Sequence, residues 1–111
     1  MPVITVIGLD KGITDPTLIE LRGKIKTAVA LIPELKITPI QVTVKFVDER
    51  ASNPIEVMVF VFGLSPKEER DESVRNAMAT AITNEIERYV DVNVLIECFI
   101  TPYAIGFAAT R

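Results

Sequence analysis

Few side chains in this sequence can do chemistry, and the missing ones exclude most mechanisms. The 111 residues contain no histidine and one cysteine, Cys98. Ser-His-Asp and Cys-His nucleophile pairs are therefore excluded, as is every zinc site built on imidazole. A lone cysteine forms no internal disulfide, and Cys98 lies in the apolar run Leu95-Ile96-Glu97-Cys98-Phe99, where packing explains it better than a reactive thiol. Catalysis, if there is any, falls to an amine, a carboxylate, a hydroxyl or a tyrosine, and no metal or cofactor is expected.

Composition narrows the class further. Hydrophobic residues make up 49% and charged residues 24%, which describes a folded chain large enough for one core. Net charge is −3 and the twelve cations are scattered, so the basic stripe that a phosphate backbone needs is missing and no nucleic-acid partner is expected. No apolar run approaches ~18 residues, and no basic-then-apolar leader opens the chain, so neither a membrane span nor export is expected and the protein is read as cytoplasmic.

The elements that would position any site come in two copies. Val3 to Ile7 is an apolar strand followed by Gly8-Leu9, then Asp15-Pro16 opens an amphipathic stretch; Val57 to Phe62, Gly63-Leu64 and Ser65-Pro66 repeat that order. Asp15 suits an N-cap and Pro16 the first helical position, where a missing N–H costs nothing. Leu18, Leu21, Ile25, Ala28, Val29 and Ile32 then recur at helical spacing until Pro33 stops the helix. Gly23 inside it is either a weak point or a site of close packing. The second helix is expected to begin at the capping box Ser65-Pro66-Lys67-Glu68, with Glu68, Glu69, Asp71 and Glu72 complementing its dipole. Val74, Ala77, Met78, Ala81, Ile82, Ile86 and Tyr89 form its apolar stripe.

Each half closes with a strand, Ile40 to Val47 and Val92 to Ile100. In the former, Ile40, Val42, Val44 and Phe46 share one face; in the latter, Asn93 and Glu97 oppose Val94, Ile96 and Cys98. The reading is one α+β domain over 1–111: two β-α-β repeats (1–47 and 55–100), a linker at 48–54, an apolar docking tail at 101–111, and a four-stranded mixed sheet with both helices on one face. Right-handed crossovers would leave the other face bare, yet the first and third strands are apolar on both sides. Wetting Met58, Phe60 and Phe62 would be costly, so a homo-oligomer is expected, with a monomer whose tail folds over its own sheet as the alternative.

Met1-Pro2 running straight into an apolar strand, followed by duplicated β-α-β units in ~110 residues, resembles the tautomerase superfamily, which includes 4-oxalocrotonate tautomerase and macrophage migration inhibitory factor. The resemblance spans the whole chain in element order and rests on Pro2 alone as a motif. It implies a homotrimer with its sheets around a central axis and its helices outside. It also implies that Pro2, once Met1 is removed, is a general base in keto-enol tautomerisation of a small α-keto or enol carboxylate. A retained Met1 would turn that amine into an amide, which is not a base. The same arrangement would bring the third strand's end toward Pro2, with Lys67 and Arg70 as candidate anion-binding cations and Tyr103 and Phe107 as candidate pocket walls from a neighbouring chain. For each of the four, a solvated cation or a packed ring is the favoured reading on residue type alone. Lys11 falls at the far end of the first strand. Where the resembled enzymes carry arginine in the first loop or second strand, this chain has Lys11 and the Thr43/Lys45 pair, and no Asn-Gly follows the fourth strand. The competing readings are a ferredoxin-like oligomeric binding module, which shares the element order but interleaves its strands, and a catalytically inactive trimer.

Overall fold

A computed structural model describes residues 2–47, 56–64 and 71–102. The linker at 48–54, the Ser65-Pro66-Lys67-Glu68 box and the tail from Tyr103 onward lie outside these residues. In chain order the elements are β1 (Val3–Ile7), α1 (Asp15–Ala30), two short 3₁₀ turns (Pro33–Leu35 and Pro39–Gln41), β2 (Thr43–Val47), β3 (Glu56–Leu64), α2 (Glu72–Glu87) and β4 (Leu95–Pro102).

The strands form one sheet in the order β2-β1-β3-β4. β1 runs parallel to β2, β3 runs parallel to β4, and β1 and β3 are antiparallel. Each β-α-β unit therefore keeps its own two strands adjacent, and the units meet back to back. This order rules out the ferredoxin-like interleaving, because there each crossover would skip over a strand of the other repeat.

Alternation along the strands divides the side chains cleanly. Ile4 and Val6 of β1, Val44 of β2, and Val57, Val59 and Val61 of β3 turn toward the helices and are buried. They meet Leu21, Ile25 and Val29 of α1 and Val74, Met78, Ile82 and Ile86 of α2 in a single cluster. The spacing of these helical residues, at three- and four-residue steps, keeps them on one stripe facing the sheet. Fully burying side chains of this size stabilises by ~1.5–3 kcal/mol each before the entropy of ordering is counted.

Several element ends differ from the sequence reading, each for a local reason. Thr14, not Asp15, is the N-cap of α1: it is extended, while Asp15 already has helical geometry and places Pro16 in the first turn. Leu31 caps the other end, and Ile32 is extended because the following Pro33 disfavours the α region. β2 begins at Thr43, not Ile40. Pro39 starts a 3₁₀ turn, Gln41 Oε1 accepts the Thr38 N–H at 2.9 Å, and Ile40 is thrown outward, 90% exposed. β4 begins at Leu95, not Val92: the Val94 N–H donates to the Asp91 carbonyl at 3.0 Å, closing a turn that leaves Val92 in solvent. α2 begins at Glu72, and the Ser65-Pro66-Lys67-Glu68 box expected to start it lies outside the described residues. Asp71 is extended and its Oδ1 accepts the Val74 N–H at 3.1 Å, satisfying one of the free donors at the helix start.

Two glycines mark opposite constraints. Gly8 has φ +98°, and a Cβ there would sit 2.6 Å from the Glu56 carbonyl oxygen. A Cβ on Gly23 would meet nothing within 4 Å, so close packing does not account for it and it is a weak point of α1. Gly8→Ala is expected to destabilise the fold by about 1–3 kcal/mol or more, and Gly23→Ala to stabilise it by about 0.5–1 kcal/mol. Urea unfolding monitored by circular dichroism checks both signs.

Candidate functional site

Pro2 stands immediately before β1 and is buried. Its carbonyl accepts the Thr43 N–H at 3.1 Å, the first rung between β1 and β2, so the backbone that carries the ring is held by the ladder. Across the antiparallel seam Val3 pairs with Phe62. The end of β3 therefore lies beside Pro2, as the resemblance implied. The chain departs from β3 at Leu64 and from β4 at Pro102, with Leu64 paired to Pro102, so both departures fall at the Pro2 end of the sheet.

Of the residues expected to form the site, Pro2 is within the described residues, whereas Lys67, Arg70, Tyr103 and Phe107 lie outside them. Lys11 falls in the loop after β1, at the opposite end of that strand. There it lines a cleft of about 290 Å³ with Asp10 and Asp15, whose carboxylates oppose an anionic ligand. A neighbouring cleft of about 360 Å³ lies between Asp10, Tyr89 and Asp91. Burial, then the nearby Glu20 carboxylate, raises the Tyr89 phenol above its ordinary value. Among the described residues no cluster of histidine, cysteine or carboxylate side chains is arranged to hold a metal ion.

The second prominent feature is the sheet face that the helices leave bare. Val3, Thr5 and Ile7 share it with Met58, Phe60 and Phe62 and with Leu95, Glu97 and Phe99, as the strand registers require. Phe60 stacks on Phe62 and on Phe99, with ring centroids 6.4 and 5.5 Å apart. Phe62, Leu95 and Phe99 remain 48%, 56% and 42% exposed, an apolar patch of the kind that marks an interface. Two acidic side chains interrupt it, a detail the sequence reading missed for Glu56. Glu56 and Glu97 are diagonal neighbours, since Glu56 pairs with Leu95 and Met58 with Glu97. A hydrogen bond to Glu97, with burial and repulsion between the two carboxyls, raises Glu56 above the usual carboxylate range. The signal for Glu97 was a charge inside an apolar strand; Glu56 sits at the strand's start, where a sequence gives no hint of a partner.

Arg22 was also not foreseen. From α1 its Nε donates to the Val44 carbonyl at 3.3 Å, and its guanidinium lies 5.3 Å from the centroid of Phe46. It caps the outer edge of β2, a position where an unpaired carbonyl would invite another strand.

The architecture has clear counterparts among solved structures. A fused 4-OT asymmetric trimer matches with TM-score 0.70 at 12% identity, covering 94% of this chain and 92% of its own. Macrophage migration inhibitory factor from Toxoplasma gondii matches with TM-score 0.63 at 18% identity, covering 94% and 96%. Pt0534 inactivated by 2-oxo-3-pentynoate matches with TM-score 0.67 at 15% identity, covering 91% and 85%. No family model matches the sequence, and no curated protein matches it either. The fold is tautomerase-like, shared with these structures: a four-stranded mixed sheet with two helices, built from paired β-α-β units. No described helix is long and apolar enough to cross a membrane.

Cys98 points toward the helices, in register with Val59, and burial pushes its thiol up to about 11. At pH 8 only about a thousandth of it would be thiolate, against about a quarter for a free cysteine. Modification of the native protein by a thiol reagent at that pH is expected to be slower than in urea by at least about tenfold, since the greater nucleophilicity of a high-pKa thiolate offsets part of its scarcity, and equal rates would contradict the assigned burial.

Proposed function

We propose that this protein is a homotrimeric tautomerase-like enzyme that moves a proton between carbon and oxygen of a small α-keto or enol carboxylate, with Pro2 as the general base. The observation that carries this reading is the burial of Pro2 at the start of β1, beside the end of β3 and at the same end of the sheet as the end of β4. An α-amino group titrates near ~8 in water. Burial disfavours its charged form, so the amine of Pro2, freed by removal of Met1, becomes a base at neutral pH. It takes the proton from the enol oxygen or the carbon next to the ketone and returns it at the other end of the enolate.

The developing enolate and the substrate carboxylate both need positive charge. Support for Lys67 and Arg70 comes from their attachment: they follow Leu64 by a few residues and precede Asp71, the N-cap of α2. Tyr103 follows Pro102 directly, which supports it, with Phe107, as part of a wall. The bare apolar face supports assembly, and the fused 4-OT is described as a trimer. The α-keto acid that inactivates Pt0534 supports the substrate class.

Protein shown by intact mass to lack Met1 is expected to ketonise phenylenolpyruvate or 2-hydroxymuconate. Pro2→Ala should lower kcat/KM by about 10²–10⁴-fold, and equal rates for the two proteins would discard the proline mechanism. An alkynyl ketone gives a second readout. The amine of Pro2 would add to the alkyne carbon distal to the ketone of 2-oxo-3-pentynoate, with its proton passing to the adjacent carbon. One adduct is expected on the wild type, carried by the N-terminal peptide, and none at Cys98, which is held as a thiol. Sedimentation velocity at micromolar concentration is expected to show a trimer; a stable monomer would remove the trimeric reading.

A further inference from the structure

We infer that the two edges of the bare sheet face are electrostatic partners between copies of this chain: Lys45 on β2 of one copy pairs with Glu97, flanked by Glu56, on the β3–β4 side of the next. The inference rests on the oligomer proposed above and names what selects the contact.

Register places the charges. Thr5 pairs with Lys45 on one side and with Phe60 on the other, and Ile7 pairs with Met58, which pairs with Glu97. Lys45, Glu56 and Glu97 thus share the bare face, with the cation at the β2 edge and both carboxyls toward the β4 edge. Among the described residues of this face Lys45 is the one cation. Three strand spacings, about 14 Å in all, separate Lys45 from Glu97, so the two cannot meet within one copy. Phe60, Phe62 and Phe99 occupy the ground on the acidic side of β1.

Covering such a face with another protein surface strips water from all three charged groups. Burying the two carboxyls or the ammonium unmatched would oppose association strongly. A neighbour that sets its β2 edge against the β4 edge matches them instead, and it uses two different surface patches. Repeated head to tail, such a contact closes into a ring. Arg22 adds an independent reason for a side-chain contact: it already occupies the outward Val44 carbonyl, so at that position the β2 edge is closed to backbone pairing with an added strand. Oppositely charged patches of this kind select partner and register more than they add affinity.

Charge reversal tests the pairing. Lys45→Glu is expected to raise the dissociation constant of the oligomer at least about tenfold in sedimentation equilibrium, and K45E/E97K to recover most of that loss, because the pair is restored with its signs exchanged. A Lys45→Met variant guards against misfolding. Raising NaCl from about 0.05 to about 0.5 M should weaken the wild-type oligomer and leave the Lys45→Met oligomer nearly unchanged. If K45E assembles like the wild type, or the double variant is no better than K45E, the pairing is overturned while the oligomer stands. If the wild type is itself monomeric, the oligomer reading fails first and the pairing with it.

Discussion

From Val3 opposite Phe62 to Ile7 opposite Met58, β1 and β3 are joined by an antiparallel ladder, and the rest of the molecule depends on that seam. Each β-α-β unit alone has two parallel strands and one helix, too little to bury its own apolar stripe. Joining the first strands of the two units back to back makes four strands and sets α1 beside α2. The core residues of both helices then pack over the same β1 and β3 valines and Ile4. Because the ladder is antiparallel, it also brings the end of β3 to the start of β1. The proposed site at Pro2 and the core are consequences of one set of backbone pairings.

The same seam creates the apolar surplus. With both helices committed to one face, residues of opposite parity on β1, β3 and β4 turn to the other, and nothing in the single chain's described residues covers Phe62, Leu95 and Phe99. An exposed apolar patch of this kind is what supports the proposed assembly. Its charged groups, Lys45 at the β2 edge and Glu56 and Glu97 toward the β4 edge, sit on either side of the aromatic centre.

Much of the fold was legible because period and punctuation agreed. The continuous apolar run at 57–62 and the helical spacing from Leu18 to Val29 each match their observed elements, and Pro33 follows the end of α1 as its chemistry demands. The errors cluster at element ends, where two local signals competed. Asp15 and Thr14 are both good caps, and Pro16 fits either assignment. Ile40 and Val92 continue an apolar alternation, but Pro39 and the Asp91 turn divert the backbone before pairing begins. At the second helix Asp71 is the cap because its carboxylate reaches the Val74 N–H.

What the amino-acid order determined alone was local: which segments are strands and helices, that they are duplicated, that no imidazole or paired thiol can take part in chemistry, and that strands one and three are apolar on both faces. These follow from residue type and near-neighbour spacing. Strand order was decided only by the tertiary structure, since adjacent and interleaved β-α-β units share the same linear pattern and differ in which long-range ladder forms. The meeting of Glu56 with Glu97, and the reach of Arg22 to Val44, belong to the same class. Each joins residues far apart in the chain, and only the register of paired strands or the packing of a helix on an edge brings them together.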